Sequence, residues 1–131
     1  MDNITHSLLG AVLAKTRLGQ ASPFAPVALV IGANLPDFEN IVLAFCDKPT
    51  NMIHHRSVTH AALGIAILIP LFALLVRGLE RRFARGRPRG SFRTLLAGVG
   101  LAIASHPLLD WLNTYGVRFW LPFDATWHHG D

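Results

Sequence analysis

The chain has 131 residues, of which 51% are hydrophobic and 15% are charged, whereas ordinary soluble domains carry roughly 25% charged residues. This length allows one domain at most. The net charge of +4 at pH 7 comes largely from one arginine-rich stretch, RGLERRFARGRPRGSFR at 77–93. The positive charge is therefore concentrated in this segment and is not spread along the chain. The single cysteine, Cys46, excludes an internal disulfide and most thiolate metal sites.

The first predicted elements are two short apolar segments. The first segment is ITHSLLGAVLA at 4–14. The N-terminal sequence MDNITHSLLG lacks the basic residues and the cleavage site of a signal peptide, so we expect the N-terminus to be retained. SPFAPVALVIGANLP at 22–36 comes after Lys15 and Arg17. Both segments are shorter than the roughly 20 residues that cross a bilayer core, and we expect them to be half-buried, re-entrant or tilted.

Two longer apolar runs, at 57–76 and 94–112, approach the spanning length of roughly 20 residues and are predicted to be membrane-spanning helices. Pro70 and Pro107 favour a membrane bundle, because an interior proline costs a soluble helix about 3 kcal/mol and is accommodated more readily between packed membrane helices. The alternative is a soluble protein with unusually apolar core helices. The predicted fold is an all-α integral membrane bundle, a single domain over 1–131 with two spans and two shorter apolar helices.

The arginines predict the orientation of this bundle. Short basic loops remain on the cytoplasmic side, so the far ends of both spans should face outward, and Lys15 and Arg17 should mark a second cytoplasmic turn. Nucleic acid is not expected as a partner, because the arginine-rich stretch lies between two apolar runs and contains few aromatic residues.

Polar residues gather at the predicted outer ends of the apolar runs. HHRSVTH at 54–60 precedes the first span, and SHPLLD places His106 and Asp110 four residues apart, on one face of a continuous helix. A charged side chain at the centre of a membrane helix costs about 2.5–3.5 kcal/mol, so such residues usually pair, coordinate a ligand or line a wet cavity. Imidazole nitrogens and carboxylate oxygens are ligands for zinc and related divalent metals.

Four blocks of the sequence resemble the YdjM-like family of LexA-regulated inner-membrane proteins: MDNITHSLLGAVLA, IGANLPDFENI, HHRSVTHAAL and ASHPLLDWLNTYGVRFWLPF. The resemblance covers about residues 1–123. It implies a membrane-embedded helical protein of the bacterial inner membrane, and a metal-dependent hydrolase activity that is itself inferred from such residues. The polar residues that it maps onto this chain are His6, Asp37, His55, Arg56, His60, His106 and Asp110.

Several of these residues have a simpler interpretation. Asp37 could cap the next helix, and Arg56 could extend toward lipid headgroups. Only one of the adjacent His54 and His55 is expected to face the site, and the family block favours His55. Members of the family continue beyond the last block, so this chain could be C-terminally incomplete.

The predicted activity is metal-assisted hydrolysis. One or two divalent ions, with zinc as the first expectation, would activate water for attack on a phosphoester or ester. The predicted metal ligands are His6, Asp37, His55, His60, His106 and Asp110. The predicted catalytic residues are Asp37 or Asp110 as ligand or base and Arg56 as a stabiliser of developing charge.

A site at a membrane surface favours an amphiphilic substrate such as a lipid phosphate. Two alternatives stay open: a metal-ion or small-solute transporter, which would line a path nearer the midplane, and a membrane subunit with a structural metal. Homo-oligomerisation also stays open.

Overall fold

The computed structural model describes residues 3–43, 45, 58–114 and 116–130. In chain order the helices are α1 (Asn3–Ala14), α2 (Ala25–Asn34), a short 3-10 helix (Leu35–Phe38), α3 (Glu39–Leu43), α4 (Ala62–Phe83) and α5 (Phe92–Trp111). No β-strand occurs in these ranges, where a single isolated bridge pairs Val117 with His128. The predicted all-α architecture, with two long apolar helices preceded by shorter ones, is confirmed.

Helix α2 lies at the centre of the bundle, packed between α1 and α5. Its buried face consists mainly of small residues, which allow helix axes to approach closely. The approach is tightest at Gly10 of α1, where a β-carbon would lie 2.7 Å from the Cα atom of Val30 and 2.8 Å from the carbonyl oxygen of Leu29. Small side chains therefore set the distance between α1 and α2.

The outer surface of the long helices is apolar. On α4, the exposed residues Leu63, Ile67, Leu71, Leu74 and Leu75 recur at intervals that keep them near one face of the helix. In the most apolar 18-residue window of each long helix, only 22% of α4 and 39% of α5 is buried within the protein. A core helix of a soluble protein would be mostly buried, so these exposed apolar faces fit a lipid environment.

The first long helix differs from its predicted bounds of 57–76, because it begins at Ala62 and continues to Phe83. Arg77, Arg81 and Arg82 therefore belong to the helix and not to the following loop. Continuation past Arg77 is possible because its guanidinium lies 3.4 Å from the buried carboxylate of Glu80, one turn further on. The second long helix, Phe92–Trp111, agrees closely with the predicted 94–112.

The four longer helices alternate in direction. At one end of the bundle, here called the basic end, the backbone N–H of Gly90 donates to the carbonyl oxygen of Ala21 over 2.8 Å, joining the α1–α2 and α4–α5 connections. At the other end, here called the site end, the start of α1, the end of α2, the start of α4 and the end of α5 meet. The backbone N–H of Ala62 there donates to Phe119 over 2.8 Å, so the C-terminal segment packs against this end.

Candidate metal centre

Five titratable side chains converge at the site end. His6 comes from the first turn of α1, Asp37 from the 3-10 helix after α2, His60 from the residues just before α4, and His106 and Asp110 from the last turns of α5. The three histidines are fully buried and Asp110 is 1% exposed, whereas the Asp37 side chain is 9% exposed. Asp37 is therefore the residue of the cluster that is most accessible from outside the protein.

Four donor atoms of this cluster have metal-ligand spacing. The Nε2 atom of His60 lies 3.7 Å from Asp37 Oδ1 and 3.6 Å from Asp110 Oδ2. The Nε2 atom of His106 lies 3.5 Å and 3.7 Å from the same two oxygens. Tetrahedral ligands at zinc bond lengths are separated by roughly 3.3–3.6 Å. These N···O distances suit ligands of a divalent ion, and the donor atoms of Asp37, His60 and His106 all lie within 4.8 Å of one another.

His6 extends the cluster on the other side of Asp110. Its Nε2 atom lies 3.4 Å from Asp110 Oδ1, and its ring stacks on His106 with centroids 3.6 Å apart and an interplanar angle of 16°. His6, His106 and Asp110 form a second group whose donor atoms all lie within 4.8 Å of one another, and this group shares His106 with the group of Asp37 and His60. Because one imidazole nitrogen binds one ion, His106 can serve only one of these two groups at a time.

A backbone contact fixes the tautomer of His106. Its Nδ1 atom lies 2.6 Å from the carbonyl oxygen of Ala33. A carbonyl oxygen can only accept a hydrogen bond, so Nδ1 carries the proton and the Nε2 lone pair faces Asp37 and Asp110. No hydrogen bond to this Nε2 atom is present among the described residues. An imidazole oriented in this way is prepared to bind a cation.

A similar chain of contacts orients His60. The Thr59 hydroxyl donates to Glu39 Oε2 over 2.6 Å, so the hydroxyl oxygen, 3.1 Å from His60 Nδ1, is left to accept from that nitrogen. The other Glu39 oxygen lies 3.6 Å from the same Nδ1 atom. This arrangement leaves the Nε2 atom of His60 facing the carboxylates of the cluster.

Neither Glu39 nor Thr59 is among the site residues predicted from the sequence. Glu39 lies two residues after Asp37 in DFEN, and Thr59 directly precedes His60. Their closeness in the sequence to the predicted ligands is the only feature that could have indicated a role in the site. Their role depends on contacts between separate segments, which residue spacing does not reveal.

The two remaining predicted site residues, His55 and Arg56, lie outside the described residues, as does His54. Two further histidines, His128 and His129, lie near the C-terminus. His128 pairs with Val117 through its backbone and lies 6.2 Å from Phe119 between ring centroids, and His129 is exposed. Neither belongs to the two donor groups found among the described residues. The cluster is thus formed by His6, Asp37, His60, His106 and Asp110.

Comparison with known proteins identifies a family for this chain. The family model described as YdjM inner membrane protein matches residues 1–130. No curated protein matches the chain, and no solved structure matches it. The match extends over all the segments that supply the clustered side chains, and it agrees with the resemblance seen in the four sequence blocks.

Proposed function

Because this chain belongs to the YdjM inner membrane protein family, we propose that it is a membrane-embedded, metal-dependent hydrolase. The observation that carries the proposal is the spacing of 3.5–3.7 Å between the His60 and His106 nitrogens and the Asp37 and Asp110 oxygens. Zinc is the first candidate among divalent ions, since imidazole and carboxylate together are typical of its catalytic sites.

The protein would supply the ligands and a proton acceptor. His60 and His106 would hold the ion through Nε2 and Asp37 through an oxygen, and three protein ligands leave a position for water, as in catalytic zinc sites. A divalent ion held there would lower the pKa of a water molecule at the site toward 7. Asp110, whose Oδ1 lies 3.4 Å from His6 Nε2 and whose Oδ2 lies 3.6 Å from His60 Nε2, would then accept the proton released by water.

A groove beside Asp37 supports an amphiphilic substrate. Its volume is about 430 Å³, and its lining includes Asp37 and the apolar residues Val30, Ile31, Phe38 and Ile41. Ile31, Phe38 and Ile41 are 49%, 61% and 57% exposed, so in a membrane the groove would be open to lipid. A phosphoester or ester next to Asp37, with its hydrocarbon chain along the apolar wall, fits this arrangement.

Arg56 keeps its proposed role. A guanidinium cannot ligate a cation but can stabilise negative charge that develops on a phosphoryl or carbonyl oxygen. Arg56 lies four residues before His60 in the sequence. We also propose that the site end faces away from the cytoplasm, because the arginines of the basic end should remain on the cytoplasmic side.

The test is hydrolysis by the purified full-length protein in mixed micelles. The protein is stripped with a chelator, reloaded with Zn²⁺ and presented with phospholipids, lipid phosphates and carboxylic esters. We expect cleavage of at least one class, and a loss of at least about a hundredfold in Asp110→Asn. The matched control is Asp124→Asn, because Asp124 is exposed and accepts hydrogen bonds only within its own turn, from Thr126.

Two results would contradict the hydrolase. One is a metal-loaded wild-type protein that cleaves no substrate class. The other is cleavage that persists in folded Asp110→Asn. Metal uptake into proteoliposomes by a protein without hydrolytic activity would instead favour the transporter.

A further inference from the structure

A second groove lies at the basic end, far from the metal centre. It has a volume of about 680 Å³ and runs between the last turns of α4 and the residues that lead into α5. Its lining includes Leu74, Arg77, Arg81, Arg89 and Phe92. Arg77 lies fifteen residues beyond the start of α4, which corresponds to about 20 Å along the helix axis. This groove is therefore separate from the site of hydrolysis proposed above.

The groove carries positive charge that no acidic side chain within the described ranges neutralises in full. Residues 77–93 contain seven arginines and one acidic residue, Glu80. The Glu80 carboxylate is fully buried, lies 3.4 Å from Arg77 and accepts from the backbone N–H of Phe24 over 3.2 Å. Within the described ranges, neither Arg81 nor Arg89 has an acidic partner, so their guanidinium groups are available to an anion from outside.

The base of the groove is held in place by hydrogen bonds. The second guanidinium nitrogen of Arg77 donates to the carbonyl oxygen of Gly90 over 2.9 Å, while the N–H of Gly90 donates to Ala21 over 2.8 Å. Arg77, itself only 9% exposed, thereby ties the wall formed by α4 to the wall formed by the α4–α5 connection. A groove that is ordered before binding loses less entropy when it receives a ligand.

We propose that this groove binds the phosphate group of an anionic phospholipid. Arg81 and Arg89 would hold the phosphate oxygens, since a guanidinium matches phosphate with two parallel hydrogen bonds. Leu74 lies one turn before Arg77, is 58% exposed and belongs to the apolar outer face of α4, so a hydrocarbon chain can leave the groove along it. Free phosphate could make the same contacts with the arginines, but it has no hydrocarbon chain to pack against this apolar wall.

Lipid retention by matched double variants tests the proposal. The full-length protein is titrated with phosphatidylglycerol in detergent, and bound lipid is counted by native mass spectrometry. We expect R81Q/R89Q to weaken retention of one lipid roughly 10- to 30-fold, and R81K/R89K, which keeps the charge but not the two-point contact, to restore part of it. The control is R85Q/R87Q, which removes the same charge from exposed residues outside the groove lining and should change retention less than about twofold.

A second arm separates lipid from soluble anion. Inorganic phosphate is added to the protein in phosphatidylcholine nanodiscs, with and without phosphatidylglycerol, and we expect no displacement of the bound lipid. Displacement by phosphate would overturn the lipid assignment. Equal losses of lipid in R81Q/R89Q and R85Q/R87Q would show that the lipid is attracted by overall charge, and would overturn binding in the groove. Unchanged lipid retention in R81Q/R89Q would overturn it as well. Thermal unfolding in detergent confirms that each variant is folded.

Discussion

The Nδ1 atom of His106 on α5 lies 2.6 Å from the carbonyl oxygen of Ala33 on α2. This hydrogen bond joins the helix that carries two candidate ligands to the central helix of the bundle. It also directs the second ring nitrogen toward Asp37 and Asp110, at 3.5 Å and 3.7 Å. Helix packing and ligand geometry are therefore coupled through one side chain.

His106→Ala should abolish metal binding. The substitution removes a donor that both candidate triads share, so neither remains complete. We expect the metal content of the detergent-purified protein, measured by elemental analysis, to fall from about one ion to a small fraction, with affinity reduced by more than about a hundredfold. His129→Ala is the control, because His129 is exposed and lies outside both triads, and it should keep its metal. Full metal content in folded His106→Ala would contradict the proposed site.

Glu39→Gln should weaken metal binding without removing a ligand. Glutamine can still accept from the Thr59 hydroxyl, but the negative charge beside His60 Nδ1 is lost. Changes in such supporting groups typically cost 10- to 100-fold in metal affinity. Competition with a chromophoric chelator measures the effect, and Asp124→Asn provides a charge-matched control at a surface acid. An affinity equal to that of the wild type would show that Glu39 does not support the metal site.

Gly10→Ala should destabilise the bundle and weaken metal binding together. The added methyl group would lie 2.7 Å from the Val30 Cα atom, so α1 must move away from α2 and carry His6 with it. We expect a cost of about 1–3 kcal/mol in the free energy of unfolding, seen as a lower thermal midpoint in detergent. Gly78→Ala is the matched control, since a β-carbon there meets nothing within 4 Å. Equal midpoints for the two variants would show that the α1–α2 contact is not limiting.

Glu80→Ala should destabilise the basic end more than Glu80→Gln does. Alanine leaves the buried Arg77 guanidinium without its carboxylate and the Phe24 N–H without its acceptor. Breaking a buried ion pair in this way costs about 3–5 kcal/mol. Glutamine still accepts from Phe24 and should recover part of the loss in thermal unfolding measurements. If both variants unfold at the wild-type temperature, the buried Arg77–Glu80 pair does not stabilise the basic end.

The sequence by itself determined the helical class, the apolar lengths and the residue types of the site. Runs of about 20 apolar residues predict spanning helices because backbone groups in lipid must be satisfied within the segment. Local spacing also placed His106 and Asp110 on one face of α5. Apolar length and residue spacing are properties of one segment, so they can be predicted from that segment alone.

Only the tertiary structure decided how the stretches combine. The structure extends α4 past Arg77, where Arg77 pairs with Glu80 and Glu80 accepts from the N–H of Phe24 on a separate segment. The sharing of His106 between two triads, and the support of His60 by Glu39, depend on how separate helices are positioned relative to one another. Such positions are set by close packing, as between Gly10 and Val30, residues far apart in the sequence. Residue spacing along one segment carries no information about that distance.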